Sequence, residues 1–306
     1  MPEQQLKDFN RIGLFDSGVG GLSVLREMAK LPALNKGRKF SYVGDTARCP
    51  YGNRESAEIV RYVDEIVDFL VGKNVDAIVM ACNTSAAHAF ETAKRRSPVP
   101  VFDLISTTAE YTAALNKKVG VMATASTVRS HIFSRLIKSH QPGLDVFELP
   151  CPEFVPIIES GNINQASTLN VVEQHVQTLL KEEVEVLILG CTHFPFLRGH
   201  IERLVKGKVQ IVDPAIILRE HLTPGLNGGA AQAQSGAQDE FNFYVTGNAE
   251  TFSRAATSCL GALPGHVHAI SVEQFSEQSL MEKLTDVVIA AAESMASPAV
   301  PSIVTP

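Results

Sequence analysis

From residue 11 to about residue 222, short apolar runs alternate with amphipathic stretches. The runs Ile12–Phe15, Phe40–Val43, Val75–Ala81, Val99–Phe102, Lys118–Met122, Asp145–Leu149, Val184–Leu189 and Val209–Val212 have strand length and predict strands. Between them, helices are predicted over Leu22–Leu31, Ser56–Val71, Ala86–Arg96, Thr127–Ser139 and Gln165–Lys181, with stops at Pro32 and Gly72. Such alternation predicts βα units, hence an α/β fold whose mainly parallel sheets are flanked by helices.

The pattern repeats. Arg11–Ser17 (RIGLFDS) resembles Lys118–Thr124 (KVGVMAT), with Gly13 and Gly120 displaced by 107 positions. Asp76–Thr84 (DAIVMACNT) resembles Glu185–His193 (EVLILGCTH), with Cys82 and Cys191 displaced by 109, and Cys49-Pro50 precedes Cys151-Pro152 by 102. Three pairs in one order at nearly one offset imply two related α/β halves. The second half closes near Asp213-Pro214. Leu222–Glu240, rich in Gly, Ala and Gln, reads as a connector. A β-α-β pattern follows at Phe241–Thr246, Ala249–Leu260 and Val267–Val272. The expected division is therefore a discontinuous first domain, 1–104 plus 214–306, and a second domain, 105–213. Ser297–Pro306 carries three prolines and is expected to be disordered.

Composition narrows the function classes. Among 306 residues, 45% are hydrophobic and 20% charged, enough for ordinary globular cores. The net charge of −6 offers no basic footprint for nucleic acid. The apolar runs fall far short of the roughly 20 residues of a membrane span. Met1–Arg11 is polar, without the apolar core of a secretory signal, so a cytoplasmic location is expected. Five cysteines, scattered and odd in number, argue against a disulfide framework, and no C-x-x-C pair is present.

Cys82 and Cys191 each follow a buried-looking strand, at the sheet edge where α/β proteins bind ligands. Asn83-Thr84 and Thr192-His193 then offer amides and side-chain donors at a helix N-terminus, which lowers a thiol's pKa and binds carboxylate. A lone free cysteine is more often a small buried hydrophobe. Two in equivalent places of two halves suit a different chemistry. A thiolate on one side of a stereocentre and a thiol on the other can invert it in either direction. Asp16–Gly21 (DSGVGG) lacks the Gly-Lys-Ser/Thr ending of a Walker loop and the third glycine of G-x-G-x-x-G. It remains a Gly-rich turn whose amides and Ser17 hydroxyl can hold an anion, with Asp16 as orienter, or simply a capped turn. Tyr51-Gly52 can donate to a carboxylate. Asp45 can take an ammonium group, support a base, or merely cap its loop. Cys49, Cys151 and Cys259 read as structural. The histidines show no metal-ligand pairing near the cysteines, so no metal is expected, and His193 is the histidine placed to act on a thiol.

The blocks DSGVGGLSV (16–24), YVGDTARCPYGNR (42–54), ACNTSAA (81–87), CPEFVPIIESG (151–161) and ILGCTHFPFL (188–197) resemble the signature blocks of glutamate racemases, in order from about residue 11 to 271. The resemblance implies two pseudo-symmetric α/β domains facing across a cleft that holds the active site, and catalysis without a cofactor. It implies Cys82 and Cys191 as the proton donor–acceptor pair, supported by Asp16 and His193. Substrate binding falls to Asp16, Ser17, Tyr51, Gly52, Asn83, Thr84, Thr192 and His193, with Asp45 and Glu159 as further polar support. The implied partner is L- or D-glutamate, the implied role D-glutamate supply for peptidoglycan. A homodimer is a candidate assembly that no residue pattern decides. Rival readings are a racemase of aspartate or another acidic amino acid, a thiol hydrolase or redox protein built on Cys82 alone, and an amino-acid-binding module that leaves the α-proton in place.

Overall fold

A computed structural model describes residues 9–31, 37–223 and 239–275. Strands β1 (Arg11–Asp16), β2 (Lys39–Gly44), β3 (Ala77–Met80) and β4 (Val101–Asp103) come from the first half of the chain. Strands β5 (Val119–Ala123), β6 (Val146–Pro150), β7 (Val186–Gly190) and β8 (Gln210–Val212) come from the second. β9 (Glu240–Val245) and β10 (His266–Ala269) follow the connector. All ten match predicted strands to within a few residues. They form two parallel sheets, ordered β10-β9-β2-β1-β3-β4 and β6-β5-β7-β8.

The inner order β2-β1-β3-β4 is reproduced by β6-β5-β7-β8, so the sequence repeat is a repeat of topology. Its glycines serve one packing purpose. A Cβ on Gly13 would lie 3.2 Å from Leu70 and 3.3 Å from Val75, and one on Gly120 would lie 2.9 Å from Leu179 and 3.1 Å from Val184. Each glycine lets a helix settle closely on the central strand of its sheet.

The helices are α1 (Leu22–Met28), α2 (Ser56–Gly72), α3 (Asn83–Arg96), α4 (Leu104–Leu115), α5 (Ala125–Ser130), α6 (Ile132–His140), α7 (Phe154–Glu159), α8 (Ala166–Lys181), α9 (Arg198–Val205), α10 (Pro214–His221) and α11 (Ala249–Leu260). The helix expected over Thr127–Ser139 is two, α5 and α6, broken at His131, which takes φ of 51°. The periodicity runs through this residue, but its imidazole reaches Glu148 at 3.0 Å and a left-handed turn joins the two pieces. α4, α7, α9 and α10 lie beyond the predicted set. Asp103 caps α4 by accepting from the amides of Ile105 (2.6 Å) and Ser106 (2.8 Å), a contact of about 0.5–2 kcal/mol. The stop expected at Pro32, most of the connector and the proline-bearing tail lie outside the described residues. Among the described residues, no helix is long and apolar enough to cross a membrane.

Candidate active site

In each sheet the chain winds to both sides of a central strand, and the carboxyl ends beside the switch form a crevice suited to ligands. In the first sheet these ends are β1 and β3, delivering Asp16-Ser17 and Cys82. In the second they are β5 and β7, delivering Thr124 and Cys191. The two crevices meet in one small pocket whose wall includes Asp16, Ser17, Tyr51, Gly52, Cys82, Asn83, Thr84, Cys191, Thr192 and His193. Ten residues singled out from sequence therefore share one cavity.

Cys82 is the N-cap of α3 in extended geometry, and its side chain does not cap the helix. Its Sγ lies 4.0 Å from Ser17 Oγ. Sequence suggests a lowered thiol pKa at this helix start. In the closed pocket the thiol is instead pushed up to about 12, by burial first and by the charge of Asp16 second, against hydrogen bonds from Ser85 and Ser17. Removal of bulk water outweighs the helix N-terminus here.

Cys191 lies with its Sγ 3.8 Å from His193 Nδ1. The opposite ring nitrogen, Nε2, lies 2.7 Å from Glu159 Oε1. Burial alone would depress the imidazole's pKa, but contacts with Cys191 and Glu159 and the charge of Asp16 hold it well above the ordinary histidine value. Burial likewise works against ionised Glu159. The hydrogen bond and charge of His193, with the Val19 amide, nevertheless keep its pKa below the usual carboxylate range. His193 therefore bridges Cys191 on one side and a carboxylate on the other.

Asp16 accepts from the Gly18 amide at 2.7 Å and from Thr192 Oγ1 at 3.1 Å, tying the Gly-rich turn to the loop after β7. Burial raises its pKa, partly offset by His193 and the amides of Gly18 and Gly21. The turn's glycines provide clearance. A Cβ on Gly20 would fall 2.3 Å from His193 Nδ1 and 2.6 Å from Thr192 Oγ1. Gly20→Ala is expected to cost about 1–3 kcal/mol of stability by overpacking and to displace the imidazole from Cys191. Urea unfolding beside activity assays tests this; unchanged stability and unchanged activity would contradict it.

Asp45 and Glu159 stand behind this pocket, not in its wall. Asp45 is fully buried; it accepts from Tyr51 Oη, from Arg48 Nε at 2.6 Å and from Thr246 Oγ1 at 2.8 Å. The Tyr51 hydroxyl is thus committed to Asp45, which fixes the ring as pocket wall. The Thr84 hydroxyl lies 2.9 Å from Thr124 Oγ1 and 3.3 Å from Thr127 Oγ1, joining the N-termini of α3 and α5. Thr124 and Cys151, not chosen from sequence as site residues, also line the pocket. Thr124 occupies the place of Ser17 in the repeat, a signal present in the sequence. Cys151 gives none; its thiol donates to the Leu149 carbonyl at 3.6 Å, and burial raises its pKa. Asn83 is 2% exposed, and neither polar atom of its amide has a hydrogen-bond partner. A buried amide in that condition costs free energy unless something in the pocket pairs with it. Among the described residues no cluster of three or more His, Cys, Asp or Glu is arranged to hold a metal ion.

A family model described as Asp/Glu/Hydantoin racemase matches residues 12–222. The chain belongs to this racemase family. It is similar to the glutamate racemase of Prochlorococcus marinus (strain NATL1A), 37% identical over 265 residues that cover 86% of this chain and 98% of the relative. Among solved structures it is similar to a glutamate racemase from Bacillus anthracis, with 30% identity and a TM-score of 0.77 over 86% of this chain and 98% of that one. A second, the glutamate racemase from Francisella tularensis in complex with D-glutamate, gives 29% identity and a TM-score of 0.76 over 87% and 99% of the two chains. The matched span holds both thiols and both switch points, so the family membership covers the pocket itself.

Proposed function

We propose that the chain interconverts L- and D-glutamate by transferring the α-proton between two cysteines, without a cofactor. The observation that carries this reading is the meeting of Cys82 and Cys191 in one pocket, each from the equivalent strand end of a different sheet. One thiolate removes the α-proton from one face, and the opposite thiol returns a proton to the other. Negative charge then develops on the substrate carboxylate, where preorganised donors lower the barrier most. The unpaired Asn83 amide and the N-terminus of α3 are suited to that duty, with Ser17, Thr84 and Thr192 beside them and the Tyr51-Gly52 turn closing the wall. Asp16 orients the Cys82 side. His193 faces Cys191, with Glu159 behind it, and the family resemblance assigns Cys191 to L-glutamate. Asp45 holds Tyr51.

The same reading divides the chain into a first domain, 1–104 plus 214–306, and a second, 105–213, in line with which strands make each sheet. It places the product, D-glutamate, in peptidoglycan supply within the cytoplasm. Circular dichroism of purified protein with L-glutamate, and separately with L-aspartate, tests the assignment. Optical activity should decay with glutamate alone, with no cofactor added, and should survive EDTA and carbonyl-trapping reagents. Decay with aspartate only would move the substrate, and a steady signal with both would leave a binding module.

A further inference from the structure

A second cavity, of about 740 Å³, lies beyond the substrate pocket, between the loop after β2, the end of α7 and helix α11. Pro50, Val155 and Pro156 line both chambers and form the partition between them. Thr251, Arg254 and Ser258 of α11 stand exposed along the second cavity, which has ample room for water.

Glu159 lines this cavity and is absent from the wall of the first. Its side chain is 30% accessible, whereas that of His193, 2.7 Å away, is 3% accessible. Gly18 makes the approach possible, because a Cβ there would lie 2.7 Å from Glu159 Oε1. The imidazole therefore presents Nδ1 to Cys191 in the substrate pocket and Nε2 to a carboxylate in the other chamber. Resting on the two-thiol reading above, we propose that the second cavity is the proton port of His193. Through it the Nε2 proton leaves and returns by way of Glu159, so that the ring changes charge in step with Cys191.

Protons and charges balance at each step. When the Cys191 thiolate takes the α-proton, an S–H bond forms and the imidazolium loses one of its two anionic partners, keeping Glu159. The Nε2–H bond then breaks, the proton passes to a Glu159 oxygen, and that oxygen hands it to cavity water as hydronium. Nδ1 keeps its proton throughout. After product departs, Cys191 releases its proton through the open substrate pocket, while water and Glu159 restore Nε2–H. The Cys191–His193 pair thus keeps zero net charge before and after proton uptake, which avoids an uncompensated charge away from water.

The test is solvent exchange of the His193 Nε2–H, followed by ¹⁵N–¹H NMR on full-length enzyme labelled at histidine. Glu159→Gln removes the acceptor, and Ala255→Trp, on the cavity side of α11, fills the port without touching the substrate pocket. Both should slow exchange at Nε2 by about tenfold or more relative to wild type, and Ala255→Trp should lower kcat while leaving KM for glutamate unchanged. Exchange as fast in both variants as in wild type would overturn the port. If Glu159→Gln does not fold, Ala255→Trp alone decides. Wild-type enzyme with slow-exchanging variants but no racemisation would sink the functional reading and leave the port standing.

Discussion

Replacing either Cys82 or Cys191 by serine is expected to lower racemisation by roughly 10²–10⁴-fold in both directions, the range contributed by a positioned acid–base group. A serine hydroxyl is a far poorer base at neutral pH than a thiol that can reach its thiolate. The fold should persist, because serine differs from cysteine in a single side-chain atom, and the side-chain partners Ser17 Oγ at 4.0 Å from Cys82 Sγ and His193 Nδ1 at 3.8 Å from Cys191 Sγ are long contacts. Circular-dichroism assays started from each enantiomer, with thermal unfolding as the control for folding, read the result. Cys151→Ser is the informative companion, since Cys151 also lines the pocket. Its thiol is committed to the Leu149 carbonyl, and serine can make the same bond, so most activity should remain. Normal racemisation by Cys191→Ser would remove the paired-thiol mechanism, and loss of activity in folded Cys151→Ser would require a third acid–base group.

L-Glutamate turned over in D₂O and stopped at low conversion should give D-glutamate deuterated at Cα, while the remaining L-glutamate stays largely protiated. The two acid–base groups stand on different sheets, so the proton removed by one is not the proton delivered by the other. Cys82, having exchanged with solvent, delivers deuterium. Mass spectrometry of the separated enantiomers measures both quantities. A single base swinging between faces would return original protons to the product and wash deuterium into recovered substrate. The label pattern therefore tests the geometry and not only the presence of activity. Substantial protium in early product would favour the one-base scheme, provided thiol exchange with solvent outpaces turnover, which repeating the run at lower temperature checks.

Several elements of the site are legible in the sequence. Cys82 and Cys191 stand out because the same apolar strand precedes both and a polar, helix-starting pair follows both. Strand ends are local features, and the apolar runs mark the strands to within a few residues. Thr124 is legible in principle as the partner of Ser17 in the repeat. Cys151 is not, since a cysteine before proline in a loop carries no periodicity and reaches the pocket only because β6 lies next to β5. His131 shows the opposite failure. Helical spacing continues through it, while a single left-handed residue, whose imidazole reaches Glu148 on β6, breaks the helix.

What the sequence by itself determined is the alternation of strand and helix, the duplication, and the residue types at the carboxyl ends of the central strands. These follow from spacing and from nearest neighbours along the chain, which local physics controls. The tertiary structure alone decided which groups face the pocket and which way their pKa values move. Asp45 holds the Tyr51 hydroxyl from behind the wall. The Cys82 thiol, expected to be acidified by its helix, is raised by burial and by Asp16, which lies 66 positions earlier in the chain. Against the effect of burial, the His193 pKa is raised by Cys191 and by Glu159, which lies 34 residues away in sequence and was brought against its outer nitrogen. Desolvation and through-space charge depend on the packing of distant segments, and no one-dimensional pattern carries that information.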